Sequence, residues 1–164
     1  MKKALLALIA MLLLSCGYKP TAHYTKKVLG EKVYIDVIVD RVEPESSVYI
    51  KDKLAKIIYT RFHASLSDKK EAQSTIRVSY GSTISPLSYD ANGFVTKYRV
   101  NLTMNFHVKS KSKGSFSKRI RSSFESDIEQ SGKNQSTLRI EAIKEGVEIA
   151  LDEFVAYIAM RGAK

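Results

Sequence analysis

Hydrophobic and polar positions alternate most cleanly over residues 94–109. Phe94, Thr96, Tyr98, Val100, Leu102, Met104, Phe106 and Val108 fall on one side of an extended backbone, and Val95, Lys97, Arg99, Asn101, Thr103, Asn105, His107 and Lys109 on the other. Successive side chains of a strand point to opposite faces, so this spacing predicts a strand with one apolar and one basic-polar face. At ~3.4 Å per residue such a strand would run about 54 Å, which predicts a bulge or bend along it.

The pattern elsewhere supplies the remaining elements. Residues 33–39 are rich in β-branched side chains, with the odd positions uniformly apolar, and predict a first strand. Pro44, Ser46 and Ser47 mark a helix start, and Ile50, Leu54, Ile57, Ile58, Phe62 and Leu66 follow at helical spacing. Ile76, Val78, Tyr80 and Ile84 give a second strand its inner face. Pro86 cannot donate to a ladder and Asp90-Ala91-Asn92-Gly93 is turn chemistry, so residues 85–93 are expected to be a loop. After a lysine-bearing turn at 109–114, a last strand points Phe116, Ile120 and Phe124 inward. Lys118 shares that apolar parity and is expected at the sheet's end. Beyond a polar loop at 131–135, Ser136 or Thr137 would cap a helix carrying Ile140, Ile143, Val147, Leu151, Phe154, Val155 and Ile158 on one stripe. Gly146 within it predicts close approach to the sheet, and Gly162 a stop. The expected fold is therefore α+β, a two-layer sandwich. A four-stranded mixed sheet carries two helices on one face, in the order β-α-β-β-β-α.

The amino-terminal residues change the picture. Lys2 and Lys3 precede an unbroken apolar run over 4–14. This is a secretory signal layout, and it is too short for a bilayer, which needs about twenty residues. The run ends in Leu13-Leu14-Ser15-Cys16-Gly17, and Cys16 is the single cysteine. This stretch resembles the lipobox of bacterial lipoproteins, with Leu14 a mild departure. The resemblance implies cleavage before Cys16, a diacylglycerol on its thiol and an N-acyl chain on the new amine. Gly17, in place of the aspartate that retains such proteins at the inner membrane, is compatible with the outer membrane. The expected organisation is a signal peptide over 1–15, a lipidated tether over 16–31 and one domain over 32–162.

The formal charge of +10 points to an anionic partner without choosing one. Without Lys2 and Lys3, 25 basic side chains face 17 acidic ones, a formal +8. A lone cysteine leaves no disulfide to hold the fold.

Catalytic and metal motifs are not found. His23, His63 and His107 lack ligand spacing, and Asp36 and Asp40 read as solvated strand residues rather than a carboxylate pair. An enzyme is not expected, nor a cofactor beyond the acyl groups on Cys16. What remains is the outer face of the last three strands. There Arg77, Lys97, Arg99, Lys109, Arg119 and Arg121 would share one side, joined at the turn by Lys111 and Lys113. Such a surface suits phosphates or carboxylates through charge-assisted hydrogen bonds. Nucleic acid is not expected, because stacking aromatics are sparse there and export removes most nucleic acid from reach.

Further residues carry a resemblance over the mature chain. They are Cys16-Gly17-Tyr18-Lys19-Pro20, His23-Tyr24, the stretch 26–34, Ser85-Pro86-Leu87-Ser88-Tyr89-Asp90 with Asn92-Gly93, Glu141-Ala142-Ile143-Lys144 and Leu151-Asp152-Glu153-Phe154. In that order they resemble the lipopolysaccharide-assembly lipoproteins of the LptE family, in a form like that of Campylobacter. The resemblance implies a non-enzymatic subunit of the outer-membrane translocon. It would plug and help assemble the LptD β-barrel and contact lipopolysaccharide during insertion into the outer leaflet. The alternative is an outer-membrane-anchored scaffold or adhesin lipoprotein without a lipid substrate.

Overall fold

The computed structural model describes residues 21–39, 44–127 and 135–163. Cys16 and its lipobox, Asp40 and residues 131–134 lie outside the described residues. The elements are α1 (Thr21–Leu29), β1 (Lys32–Val37), α2 (Pro44–Thr60), β2 (Ser65–Leu66), β3 (Ser74–Tyr89), β4 (Val95–Ser110), β5 (Gly114–Asp127) and α3 (Gln135–Ala163). The sheet runs β2-β1-β3-β4-β5, with β1 parallel to β2 and β3, and β3, β4 and β5 antiparallel in turn.

The fold is α+β with a mixed sheet, and it differs in detail from the expected sandwich. The sheet has five strands rather than four, and three helices are present among the described residues. The fifth strand, β2, is a two-residue edge paired to the start of β1. Leu66 lies on it, half exposed, instead of continuing the stripe of α2. The chain leaves α2 at His63, whose φ of 48° is left-handed, and this turn buries Phe62 and Ala64.

The third helix lies where a tether was expected. Residues 21–29 carry only a short apolar face, yet Thr25, Val28 and Leu29 are wholly buried against the body of the domain. Such a short helix is marginal alone, so docking must hold it. Gly30 closes α1 in the left-handed conformation (φ 77°), where a side chain would be strained and would also strike Gln73. Gln73 Oε1 then accepts from Glu31 N at 2.5 Å, steering the chain into β1.

One core joins the layers. Val100, Leu102, Met104, Phe106 and Val108 of β4 are all buried on the side covered by the helices. Phe106 stacks on Phe154 of α3, with ring centroids 4.2 Å apart and planes 10° from parallel. Gly146 approaches the sheet as its position predicts: an added methyl would stand 2.9 Å from Ser122 Oγ and 3.0 Å from Leu102 Cδ2. α3 begins at Gln135, just ahead of the expected cap, and continues through Gly162. Gly162 is not a stop but a crossing point, because a methyl there would overlap the Tyr24 carbonyl of α1.

Two strand expectations need correction. Residues 85–89 belong to β3 rather than to a loop. β1 ends opposite Val78, so β3 is an edge strand from there on, and the missing N–H of Pro86 costs no ladder bond on that rim. The irregularity expected along β4 is present near its start: the β3–β4 register shifts twice, first past Leu87 of β3 and then past Thr96 of β4, while β4 and β5 pair without a shift. Lys118 stands in mid-strand, not at the sheet's end. Its stem follows the edge of β5 to the helices, where Nζ lies 2.8 Å from Glu153 Oε1 and 5.5 Å from the centre of the Tyr157 ring.

Candidate functional site: the uncovered face of the sheet

The uncovered face follows from the register. Arg99 of β4 stands opposite Ser85 and Glu125, Asn105 opposite Ser79 and Arg119, and Lys109 opposite Thr75 and Ser115. Arg77 stands opposite Asp36 on one side and His107 on the other. Alternation then places Arg77, Lys97, Arg99, Lys109, Arg119 and Arg121 on one face, away from the helices. Hydroxyl and amide groups fill the spaces between them, among them Thr103, Asn101, Ser117 and Ser123.

The charge on this face is not uniform. Three of its cations are answered by acids from the neighbouring strand. Arg77 Nε is 2.7 Å from Asp36 Oδ2, Arg99 Nη2 2.7 Å from Glu125 Oε1, and Lys97 Nζ 3.2 Å from Asp127 Oδ1. Arg119 Nε donates to Asn105 Oδ1 at 2.8 Å, a neutral partner that leaves its charge uncompensated. His107 Nδ1 lies 2.8 Å from Ser117 Oγ. Among the described residues, Lys109, Lys111, Lys113, Arg119 and Arg121 have no acidic partner. All five belong to β5, the end of β4 or the turn between them. The face is therefore balanced toward the β3–β4 turn, where Lys97 and Arg99 are paired, and along β1, where Asp36 holds Arg77, and it is cationic along β5 and toward the β4–β5 turn.

The sequence reading found the cations but missed the acids that cancel three of them. Asp36 read as solvated, whereas it holds Arg77. Glu125 and Asp127 drew no notice, although a turn at 110–114 fixes the β4–β5 register and sets them opposite Arg99 and Lys97.

The shifted titrations lie elsewhere. On the seam between α2 and α3, Lys53 pairs with Glu148, and Tyr49 Oη donates to Glu148 Oε1 at 2.7 Å. The Lys53 hydrogen bond holds the Glu148 carboxyl below its ordinary range, and Glu148 in turn raises Lys53. Burial raises the Tyr49 phenol. At the near edge, a 2.7 Å hydrogen bond between Lys32 and Glu71 lowers the acid and raises the base. The first is a structural clamp between helices, remote from the uncovered face; Lys32 shares that face's parity with Asp36, but on β1, two strands from the unpaired cations of β4 and β5. No group of three or more histidine, cysteine or acidic side chains among the described residues is arranged to hold a metal. No helix among them is long and apolar enough to cross a membrane.

Comparison with known proteins places this architecture. Residues 31–158 match the family model LptE, described as lipopolysaccharide-assembly. No curated protein sequence matches. Among solved structures, the chain is similar to uncharacterized lipoprotein B from Nitrosomonas europaea, at a TM-score of 0.59 and 16% identity over 88% of this chain and 94% of that one. It is also similar to a minor lipoprotein from Acinetobacter baumannii, at 0.54 and 12% over 81% and 93%. A neuraminyllactose-binding hemagglutinin homolog from Helicobacter pylori shares the fold at 0.51 and 12%, over 84% of each chain. At these identities the structures speak to fold alone, and the family rests on the sequence match over most of the domain. The chain belongs to the LptE family of lipopolysaccharide-assembly proteins.

Proposed function

We propose that this protein is the lipoprotein subunit of the lipopolysaccharide translocon in the outer membrane. In this reading it is held by acyl chains on Cys16, plugs and helps assemble the LptD barrel, and touches lipopolysaccharide as it passes to the outer leaflet. The observation that carries the reading is the uncovered sheet face. It is broad, rich in hydroxyls and amides, and carries five uncompensated cations on one half (Lys109, Lys111, Lys113, Arg119 and Arg121). A polar face of this kind suits the polar lumen of a plugged barrel, and its arginines suit phosphate. The balanced end, with Lys97 and Arg99 in ion pairs, is suited to a protein wall rather than to an anionic lipid.

Photo-crosslinking in living cells tests this. With the photoreactive residue placed in turn at Thr83, Asn101, Thr103 and Ser123, adducts with a large barrel protein are expected, and depletion should reduce surface lipopolysaccharide. Absence of any barrel adduct together with unchanged surface lipopolysaccharide would refute the reading and favour a scaffold or adhesin. Palmitate labelling that is lost in Cys16→Ala checks the anchor separately.

A further inference from the structure

The chain enters the fold at one pole of the molecule, where α1 is fastened at both ends. Near its start, Tyr24 lies against Gly162 in the last turn of α3. At its end, Ser110 Oγ donates to Val28 O at 2.5 Å and Ser112 Oγ to Lys27 O at 2.9 Å. Ser110 ends β4 and Ser112 lies in the β4–β5 turn. The entry of the chain, that turn and the end of α3 therefore share a pole.

The same pole gathers cations from all three. Lys26, Lys27 and Lys111 line one recess of about 310 Å³. Lys113 and Arg161 line a second, of about 390 Å³, with Tyr157 and the exposed Met160. Arg161 stacks 4.0 Å from the centre of the Phe116 ring, which fixes the guanidinium at the mouth of that recess. Among the described residues these five cations make a single ion pair, Lys26 with Glu31 at 3.3 Å.

We propose that this pole rests on the anionic phospholipid headgroups of the leaflet that holds the Cys16 lipid; the inference rests on the reading of Cys16 as an anchor. The distance argument is short. A chain of the length from Cys16 to Thr21 spans at most about 18 Å when extended. As a flexible coil it averages about 12 Å. That is close to the screening length of about 8–10 Å at ordinary salt, so an anchored chain brings the start of α1 to the edge of the surface field, and turning this pole to the leaflet sets its five cations within it. Each lysine so placed favours contact about fivefold over a neutral surface. The second recess, with an aromatic ring, a thioether and two cations, has the amphipathic character that settles at the headgroup level.

The test follows lysine acetylation by mass spectrometry on the lipidated, full-length mature protein. The protein is compared in vesicles containing phosphatidylglycerol, in vesicles of phosphatidylcholine alone and in neutral detergent. Lys27, Lys111 and Lys113 are expected to react at least about threefold more slowly in the anionic vesicles than in either other medium. Lys51 and Lys144, exposed on α2 and α3 away from this pole, should not change. Lys111→Glu combined with Lys113→Glu should return Lys27 to its detergent rate with an unaltered circular dichroism spectrum. Equal rates in all three media, on protein whose intact mass carries the acyl chains, would overturn the contact and leave the anchor standing. Equal protection in anionic and neutral vesicles would also overturn it, since tethering alone would then suffice. An intact mass without lipid on Cys16 would overturn both.

Discussion

Reversing Arg119 and Arg121 to glutamate addresses the cationic half of the uncovered face most directly. Both side chains are exposed on β5, opposite Asn105 and Thr103, and neither is paired to an acid among the described residues. A unit charge about 4 Å from a phosphate is worth about 1 kcal/mol in water. Reversal exchanges that attraction for a like repulsion, about 2 kcal/mol per residue at contact. Screening and solvent separation halve this, leaving about 2 kcal/mol for the pair, or about a thirtyfold loss of affinity. The structural cost is small, because only the exposed hydrogen bond from Arg119 to Asn105 is lost, worth about 1 kcal/mol or less. The assay is lipopolysaccharide binding by fluorescence anisotropy at low and at physiological salt, with circular dichroism as the fold control. Lys69→Glu combined with Lys70→Glu makes the same change of charge in an exposed loop between β2 and β3, away from β5, which lies at the other edge of the sheet. An equal loss from that control would reduce the effect to net charge. An unchanged affinity at low salt in the β5 variant would refute the role of the face altogether.

Three further outcomes follow from the packing. Phe154→Ala removes one ring of the buried Phe106 stack and should cost about 3–5 kcal/mol in denaturant unfolding; a loss under about 1 kcal/mol would mean that the stack is not part of the core. Gly162→Val drives a side chain into the Tyr24 carbonyl and should release α1, at about 1–3 kcal/mol, with faster amide exchange confined to residues 21–29. Because Lys53 lowers Glu148 in the fold, the contribution of that pair is full above the ordinary glutamate range and is lost as the pH falls through the depressed folded value. Since Lys53 and Tyr49 are both raised, their contribution is lost only as the pH climbs through their folded values. Thermal melts of Glu148→Gln should therefore show a shallower acid limb than the parent, and an identical limb would exclude this pair as its source.

The parts of this fold that were readable were those with a strong local period. The even residues of β4 are buried from Val100 onward as alternation requires, whereas Thr96 and Tyr98 are half-buried and Phe94, expected on the apolar face, is exposed ahead of the strand. Gly146 meets the sheet because only a missing side chain allows that approach. The unreadable parts depend on distant neighbours. α1 has too few apolar residues to announce itself, and its helix exists because Gly162 and the serines of the β4–β5 turn receive it. β2 is two residues long and carries an exposed Leu66, so no period could reveal it. Pro86 read as a breaker because it cannot donate to a ladder, and only the sheet order shows that β3 has no neighbour on that rim beyond Val78. The cationic face was readable residue by residue, but its net charge was not, because Asp36, Glu125 and Asp127 reach it only through strand register.

The seating of α1 also determines how load would pass through the molecule. A pull on the chain ahead of Thr21 is met first by the Tyr24–Gly162 crossing and then by the two serine hydroxyls holding the carbonyls of Lys27 and Val28. Behind them stands β1, flanked on either side by parallel neighbours. Traction along β1 therefore shears its ladder bonds together instead of peeling them one by one, so the clasp at the entry gives way before the sheet does.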